Sequence, residues 1–205
     1  MKKYICLLLN FINAALVIYA VSGFFFIDPA INLGVTGTRC FRYYTIDSNI
    51  LSAIASILVI IFALKKTNSN WLLYFKFTAT TAVAVTFLTV MFFLGPTMGY
   101  KNMFSGSNFY LHLICPIISI ITYMIPDIDL SMTKRTWLYG ISTIIIYGII
   151  YSLNVLVYKT WPDFYGFNAS SHWYISAIAM MVAGLGLSYI LYRMRRVYIR
   201  KFVKK

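Results

Sequence analysis

The sequence has no glutamate at all, and its whole acidic complement is five aspartates. Charged residues of both signs make up only 11% of 205 residues, against about 25% in an ordinary soluble domain. No repeat of fixed period and no low-complexity tract interrupts the chain. The three cysteines, Cys6, Cys40 and Cys115, form neither a disulfide framework nor a metal-binding spacing. No metal and no other cofactor is expected. Ion-coupled transport generally needs ionisable groups inside the spans. With no Glu and no mid-span Arg, that class ranks low.

Apolar residues are what the sequence has in excess. They form 60% of the chain, and the mean hydropathy is +0.77. A helix needs roughly 20 apolar residues to cross a bilayer core. Six runs meet or approach that length: 5–27, 46–64, 71–95, 109–126, 137–158 and 173–192. The connections are short, so no soluble domain remains, and one integral membrane domain over 1–205 is expected. The runs are continuous rather than alternating, which excludes barrel strands. Val, Ile and Thr are frequent, as in Thr78–Thr86. In lipid the helix wins anyway, because the backbone must satisfy its own hydrogen bonds. The predicted fold class is therefore all-α, a polytopic bundle of six transmembrane helices. Met1-Lys-Lys imitates a signal peptide, but the following run is long and ends in Phe24-Phe-Phe without a small-x-small site. It reads as a first span.

Basic residues set the expected orientation. Thirteen lie on the side of the N-terminus, the second and fourth connections and the tail; Arg39, Arg42, Lys101 and Lys159 are the four on the opposite side. Both termini are thus predicted to be cytoplasmic, in what is expected to be a bacterial cell membrane. Lys76 lies inside the third run, where it is expected to snorkel to the cytoplasmic interface. The net charge of +13 comes mostly from Arg193–Lys205. That tail reads as an anchor on anionic headgroups, so no nucleic-acid partner is implied. Asn168-Ala-Ser170 is a glycosylation sequon on the outer side.

Against this apolar background, the second run opens with Thr45, Asp47, Ser48 and Asn49. Helices two, four and six begin on the outer side. His112 then lies about 5 Å below that surface, at 1.5 Å per residue, and His172 opens helix six. Thr45, Asp47, His112 and His172 are expected at one depth. Each has a plainer reading. Thr45, Asp47 or Ser48 would serve as caps for helix two. Asn49 and Ser52 would hydrogen-bond between helices. His172, beside Trp173, would be an interfacial residue. His112 stands out as an ionisable group within a span. Cys115, one turn below it, reads as a small apolar filler.

A hydroxyl is a poor nucleophile until a base takes its proton, and histidine suits that task near neutral pH. Thr45 and His112 are therefore a candidate nucleophile and base. For proton transfer they must come within hydrogen-bond reach, although nothing in the sequence makes helices two and four neighbours. Asp47 and Asn49 are possible supports. N–H groups at the start of helix two could stabilise a developing oxyanion. Aromatic residues crowd the same level. Tyr43, Tyr44, Tyr110, Trp161, Tyr165 and His172 are candidate substrate-lining residues, with Phe41, Phe109, Phe164 and Phe167 around them. They suggest a mouth between helices two, four and six with an apolar floor, or else only an interfacial aromatic belt.

Tyr43-Tyr-Thr-Ile-Asp-Ser-Asn-Ile-Leu51 together with Asn108-Phe-Tyr-Leu-His-Leu-Ile-Cys-Pro116 resembles a pair of motifs in the androgen-induced, ADTRP-like family of transmembrane threonine hydrolases. Trp161-Pro-Asp-Phe-Tyr-Gly-Phe167 is similar to a late aromatic–Pro loop of that family. The likeness covers about a third of the chain. It is nearer to the uncharacterised bacterial relatives, which carry stretches like Gly95–Tyr100. The acidic spacing after the Thr and the gap from His to Pro both depart from the animal pattern. Animal members hydrolyse fatty-acid esters of hydroxy fatty acids with a Thr nucleophile and a His partner. The resemblance thus implies those roles for Thr45 and His112, with an acyl ester as partner. Three readings follow: a lipid-ester hydrolase, a binding or transport protein for an outer-leaflet amphiphile, and a structural protein whose polar groups cap and glue.

Overall fold

The computed structural model describes residues 2–27, 29–32, 34–67, 69–125, 132–168 and 171–202. Six helices are long and apolar enough to cross a membrane. Helix one is Lys2–Phe26 and helix two is Tyr44–Leu64. Helix three is Asn70–Met98, helix four Gly106–Met124 and helix five Thr136–Val157. Helix six is Trp173–Phe202.

Helix six runs some ten residues past its apolar segment. The basic tail is therefore helical and continuous with helix six as far as Phe202. One of its arginines is not on a headgroup surface at all. Arg195 is buried, donates to the Tyr123 carbonyl at the end of helix four, and lies 4.9 Å from the Tyr123 ring centroid. A helix C-terminus leaves carbonyls without intrahelical partners, and a guanidinium supplies donors for one of them. Ala169 and Ser170 of the sequon lie outside the described residues.

Helix three is the central element, with 61% of its most apolar window buried, against 17% for helices five and six. Helices two and four pack against it, with helix one packed on both of them, and helices five and six also contact it. Helices one to four enclose a polar column. Asn13 Nδ2 donates to Ser52 Oγ and Ser56 Oγ, both at 3.1 Å. Ser52 donates to Ser119 at 3.0 Å, and Ser119 meets Thr80 at 3.2 Å. Lys76 ends the column. It does not snorkel to an interface: it is buried, and its Nζ donates to Asn10 Oδ1 at 2.7 Å and Ser56 Oγ at 3.3 Å. The expected role of Ser52 as interhelical glue holds, and the column extends that role to residues of four helices.

Three spans change pitch on the face where helix two begins. Val90–Leu94, Tyr110–Ile114 and Leu153–Val157 are π-helical. For the first two the cause is local. Pro96 and Pro116 each follow two residues after the widened turn. A proline has no N–H to donate, and its ring collides with the carbonyl four residues back. A wider turn moves that carbonyl aside. Single π turns often mark functional positions, and all three here border the cavities described next.

Candidate functional site

Two cavities open at the level of the π segments. The larger has a volume of about 400 Å³ and lies among helices two, three, five and six. Its walls are mostly aliphatic and aromatic, including Val90, Ile144, Leu156, Tyr147 and Met180. The smaller, about 160 Å³, is bounded by Phe24, Asn32, Tyr43, Thr45, Met103, Asn108, His112 and Tyr165, among others. Thr45 and Tyr165 line both cavities, as does Leu94 of the π segment in helix three. The expected mouth between helices two, four and six is therefore divided. Helix four lines the small cavity, helix six lines the large one, and Thr45 stands between them.

Helices two and four are neighbours at this depth. Asn49 Nδ2 donates to the Thr45 carbonyl at 2.7 Å and to the Leu111 carbonyl at 2.9 Å. Asn49 thus ties the backbone beside His112 to the backbone at Thr45. His112 is buried, and its Nδ1 lies 2.7 Å from the Met103 carbonyl. A carbonyl only accepts, so Nδ1 carries the proton and Nε2 keeps the lone pair in the neutral ring. A ring fixed in this way is a base with a defined basic atom. Thr45 is 8% exposed, and no hydrogen bond joins its hydroxyl to His112 among the described residues. The two line the same cavity without the direct contact that the sequence reading requires for proton transfer.

The expected caps are absent. No side chain of Thr45, Asp47 or Ser48 caps helix two. Instead the Tyr44 N–H donates to the Tyr165 hydroxyl at 3.0 Å, from the loop after helix five. Ser48 donates to the Thr45 carbonyl and meets Thr86 Oγ1 at 2.9 Å. The helix-two oxyanion donors are also largely engaged, since Ile46 and Asp47 N–H both bond the Tyr43 carbonyl. Asp47 is exposed and lines neither cavity.

Of the aromatic candidates, Tyr43, Tyr44 and Tyr165 line cavities. Phe164 joins the small cavity and Phe167 the large one. Tyr110 packs edge-on against Tyr19 instead, 5.5 Å between centroids. Trp161 lies against Phe164 and Tyr151. His172 is exposed, pairs edge-on with Tyr174 and lines neither cavity. Phe41 and Phe109 are exposed too.

Asp163 escaped the sequence reading. Its Oδ1 accepts from the Tyr151 hydroxyl at 2.6 Å and the Phe167 N–H at 3.0 Å, and its Oδ2 accepts from the Asn168 N–H at 2.7 Å. These bonds fold the 161–168 loop so that Phe164, Tyr165 and Phe167 roof both cavities. The signal was present as Pro-Asp followed by Gly166, a turn-forming pattern; Gly166 has φ +69°. Burial pushes the Tyr165 phenol up from its ordinary value, so it remains protonated at neutral pH.

Among the described residues no cluster of three or more His, Cys, Asp or Glu could hold a metal. Cys6, Cys40 and Cys115 are all buried, and none is in a disulfide. No protein-family model matches the chain, and neither curated proteins nor solved structures match it.

Proposed function

We propose that this chain is an integral membrane hydrolase of lipid or fatty-acid esters, with both termini cytoplasmic, Thr45 as nucleophile and His112 as general base. One observation carries the reading. Thr45 lines both an apolar cavity large enough for an acyl chain and a smaller cavity that a tautomer-fixed histidine also lines. The likeness of the Thr and His motifs to the ADTRP-like hydrolases supports the same pair.

In this mechanism the acyl chain occupies the large cavity and the ester carbonyl sits at Thr45. His112 Nε2 takes the hydroxyl proton as Thr45 Oγ1 bonds to the carbonyl carbon. The carbonyl electrons pass to oxygen. When they return, the C–O bond to the alcohol breaks, and the alcohol leaves with the proton from His112. A water then gives its proton to Nε2 and attacks the acyl-Thr45 ester. Collapse releases the carboxylic acid, and Thr45 recovers its proton. Catalytic hydrogen bonds frequently close only around substrate, so the mechanism requires Thr45 and His112 to approach when the small cavity is filled.

The second reading is a binding or transport protein for a small amphiphile. The apolar cavity favours it, because that cavity exists without His112. Both readings are tested with purified protein and an alkyl fluorophosphonate probe, followed by mass spectrometry of the adduct. A hydrolase yields an adduct on Thr45 that is lost in Thr45→Ala and His112→Ala and kept in part by Thr45→Ser. The double mutant should be little worse than either single one, since the two residues act as a unit. A protein that forms no adduct but retains a fatty acid, and releases it when Gly148→Phe narrows the large cavity, is a binder.

A further inference from the structure

We infer that Asn108 supplies the hydrogen bond that holds the substrate carbonyl oxygen as it becomes an oxyanion, an inference that rests on Thr45 being the nucleophile. Attack on an ester places negative charge on that oxygen, and preorganised donors there account for a large share of catalysis. The start of helix two cannot supply all of them, because the Tyr44, Ile46 and Asp47 N–H groups already have acceptors.

The other polar groups around the small cavity differ in what is left to them. Asn32 is engaged at both ends of its amide. Its Nδ2 donates to the Gly23 carbonyl, and its Oδ1 accepts the Ser107 N–H, each at 3.1 Å. His112 Nδ1 is held by Met103. Asn108 is 6% exposed, and its Nδ2 has no partner among the described residues. Leaving a buried amide donor without a partner is destabilising. A leucine of similar size would avoid that cost, so a buried, unmet donor on a side chain that lines the cavity points to a ligand acceptor.

Its position fits the task. Asn108 precedes His112 by four residues on helix four, and both side chains line the cavity that Thr45 closes. The turn carrying it is rigid. The Asn108 N–H bonds the Ser105 carbonyl at 3.0 Å, and Ser107 is clamped by Asn32. Gly106 has φ +50°, and a Cβ there would meet Ile31 and Asn32. Donor and base are thus built on one fixed turn, facing a nucleophile from another helix.

The test is hydrolysis of a p-nitrophenyl acyl ester by the full chain in detergent, with wild type, Asn108→Leu, Asn108→Asp and Asn108→Ser compared. Loss of one oxyanion donor should lower kcat about 10²–10³-fold with KM unchanged. Asn108→Ser, which keeps a hydroxyl donor, should recover part of the rate. Melting temperatures identify any variant that does not fold, and the folded ones carry the comparison. Suppose Thr45→Ala abolishes hydrolysis but the folded Asn108→Leu and Asn108→Asp proteins keep the wild-type kcat. Asn108 then has no such role, while the hydrolase reading stands. If wild type forms no Thr45 adduct and hydrolyses no ester, both fall together.

Discussion

Between helices one, two, three and four a column of polar side chains is joined by hydrogen bonds; among helices two, three, five and six the interior is mostly apolar and partly empty. The first group is held by Asn13, Ser52, Ser56, Lys76, Thr80 and Ser119, linked side chain to side chain across four helices. In the second group, small residues allow close approach at two places. Gly140 faces Ser188, and Gly184 faces Ile144. Beyond those contacts the helices part, and the 400 Å³ cavity begins at Ile144 and Ile145. Lipid tails are as apolar as leucine, so burying aliphatic side chains gives helices little reason to associate. Hydrogen bonds and close backbone approach do. Along the polar column the helices close, whereas the mostly apolar walls of the larger cavity leave room for a hydrophobic guest.

The sharpest way to break this contrast is in the column. Asn10→Leu removes the 2.7 Å acceptor of Lys76 and should destabilise the protein by about 1–3 kcal/mol or more, the cost of an orphaned buried donor. Adding Lys76→Met should restore much of the loss, since an apolar pair replaces two polar groups that need each other. Thermal unfolding in detergent micelles reads both. A double mutant no better than Asn10→Leu would show that the column does not bind the helices through this pair.

The roof over the hollow half should respond less. Asp163→Ala removes the acceptor of the Tyr151 hydroxyl and of the Phe167 and Asn168 N–H groups. These bonds lie partly at the surface, so about 1–2 kcal/mol is expected, at the lower end for charge-assisted bonds. Hydrogen exchange at Phe167 and Asn168 should rise while exchange in helices one to four is unchanged. Equal loosening of both halves would mean that they are not energetically distinct.

The smallest effect concerns Cys40, which is fully buried beside Ala20, Phe24, Ile46 and Leu111. Burial, with the Asp47 carboxylate adding to it, pushes its thiol above the ordinary value. Only the thiolate reacts, so N-ethylmaleimide should modify Cys40 more slowly in the folded chain than in the unfolded one. The linked stability is complete below the unfolded thiol value, about 8.5, and declines as pH rises past it. Equal labelling rates in the two states would place Cys40 at an open surface.

Much of the fold is legible in the residues. The six apolar runs become six helices, because lipid leaves the backbone no other partner. Their ends are less legible. Helix six runs on to Phe202 because Arg195 finds an acceptor at Tyr123, a contact between residues 72 apart in the chain. The site was partly legible. Thr45, His112, Tyr43, Tyr44 and Tyr165 stand out as polar or aromatic groups at the ends of apolar runs, and all five line the two cavities. Asp47, Tyr110, Trp161 and His172 have the same signature in sequence and do not line them. Periodicity fixes depth but not azimuth, and no local pattern says which way a helix is turned.

The sequence by itself determined the number of helices long and apolar enough to cross a membrane, and where along them the polar groups fall. Each follows from a sum over neighbouring residues: the free energy of placing a run of side chains and its backbone in hydrocarbon. Only the tertiary structure decided that Lys76 is interior, that Tyr165 caps helix two, that Asn32 is satisfied while Asn108 is not, and that Thr45 faces two cavities at once. Those are pairings between distant segments. A hydrogen bond depends on distance and direction, and both are set only when the helices have chosen their neighbours.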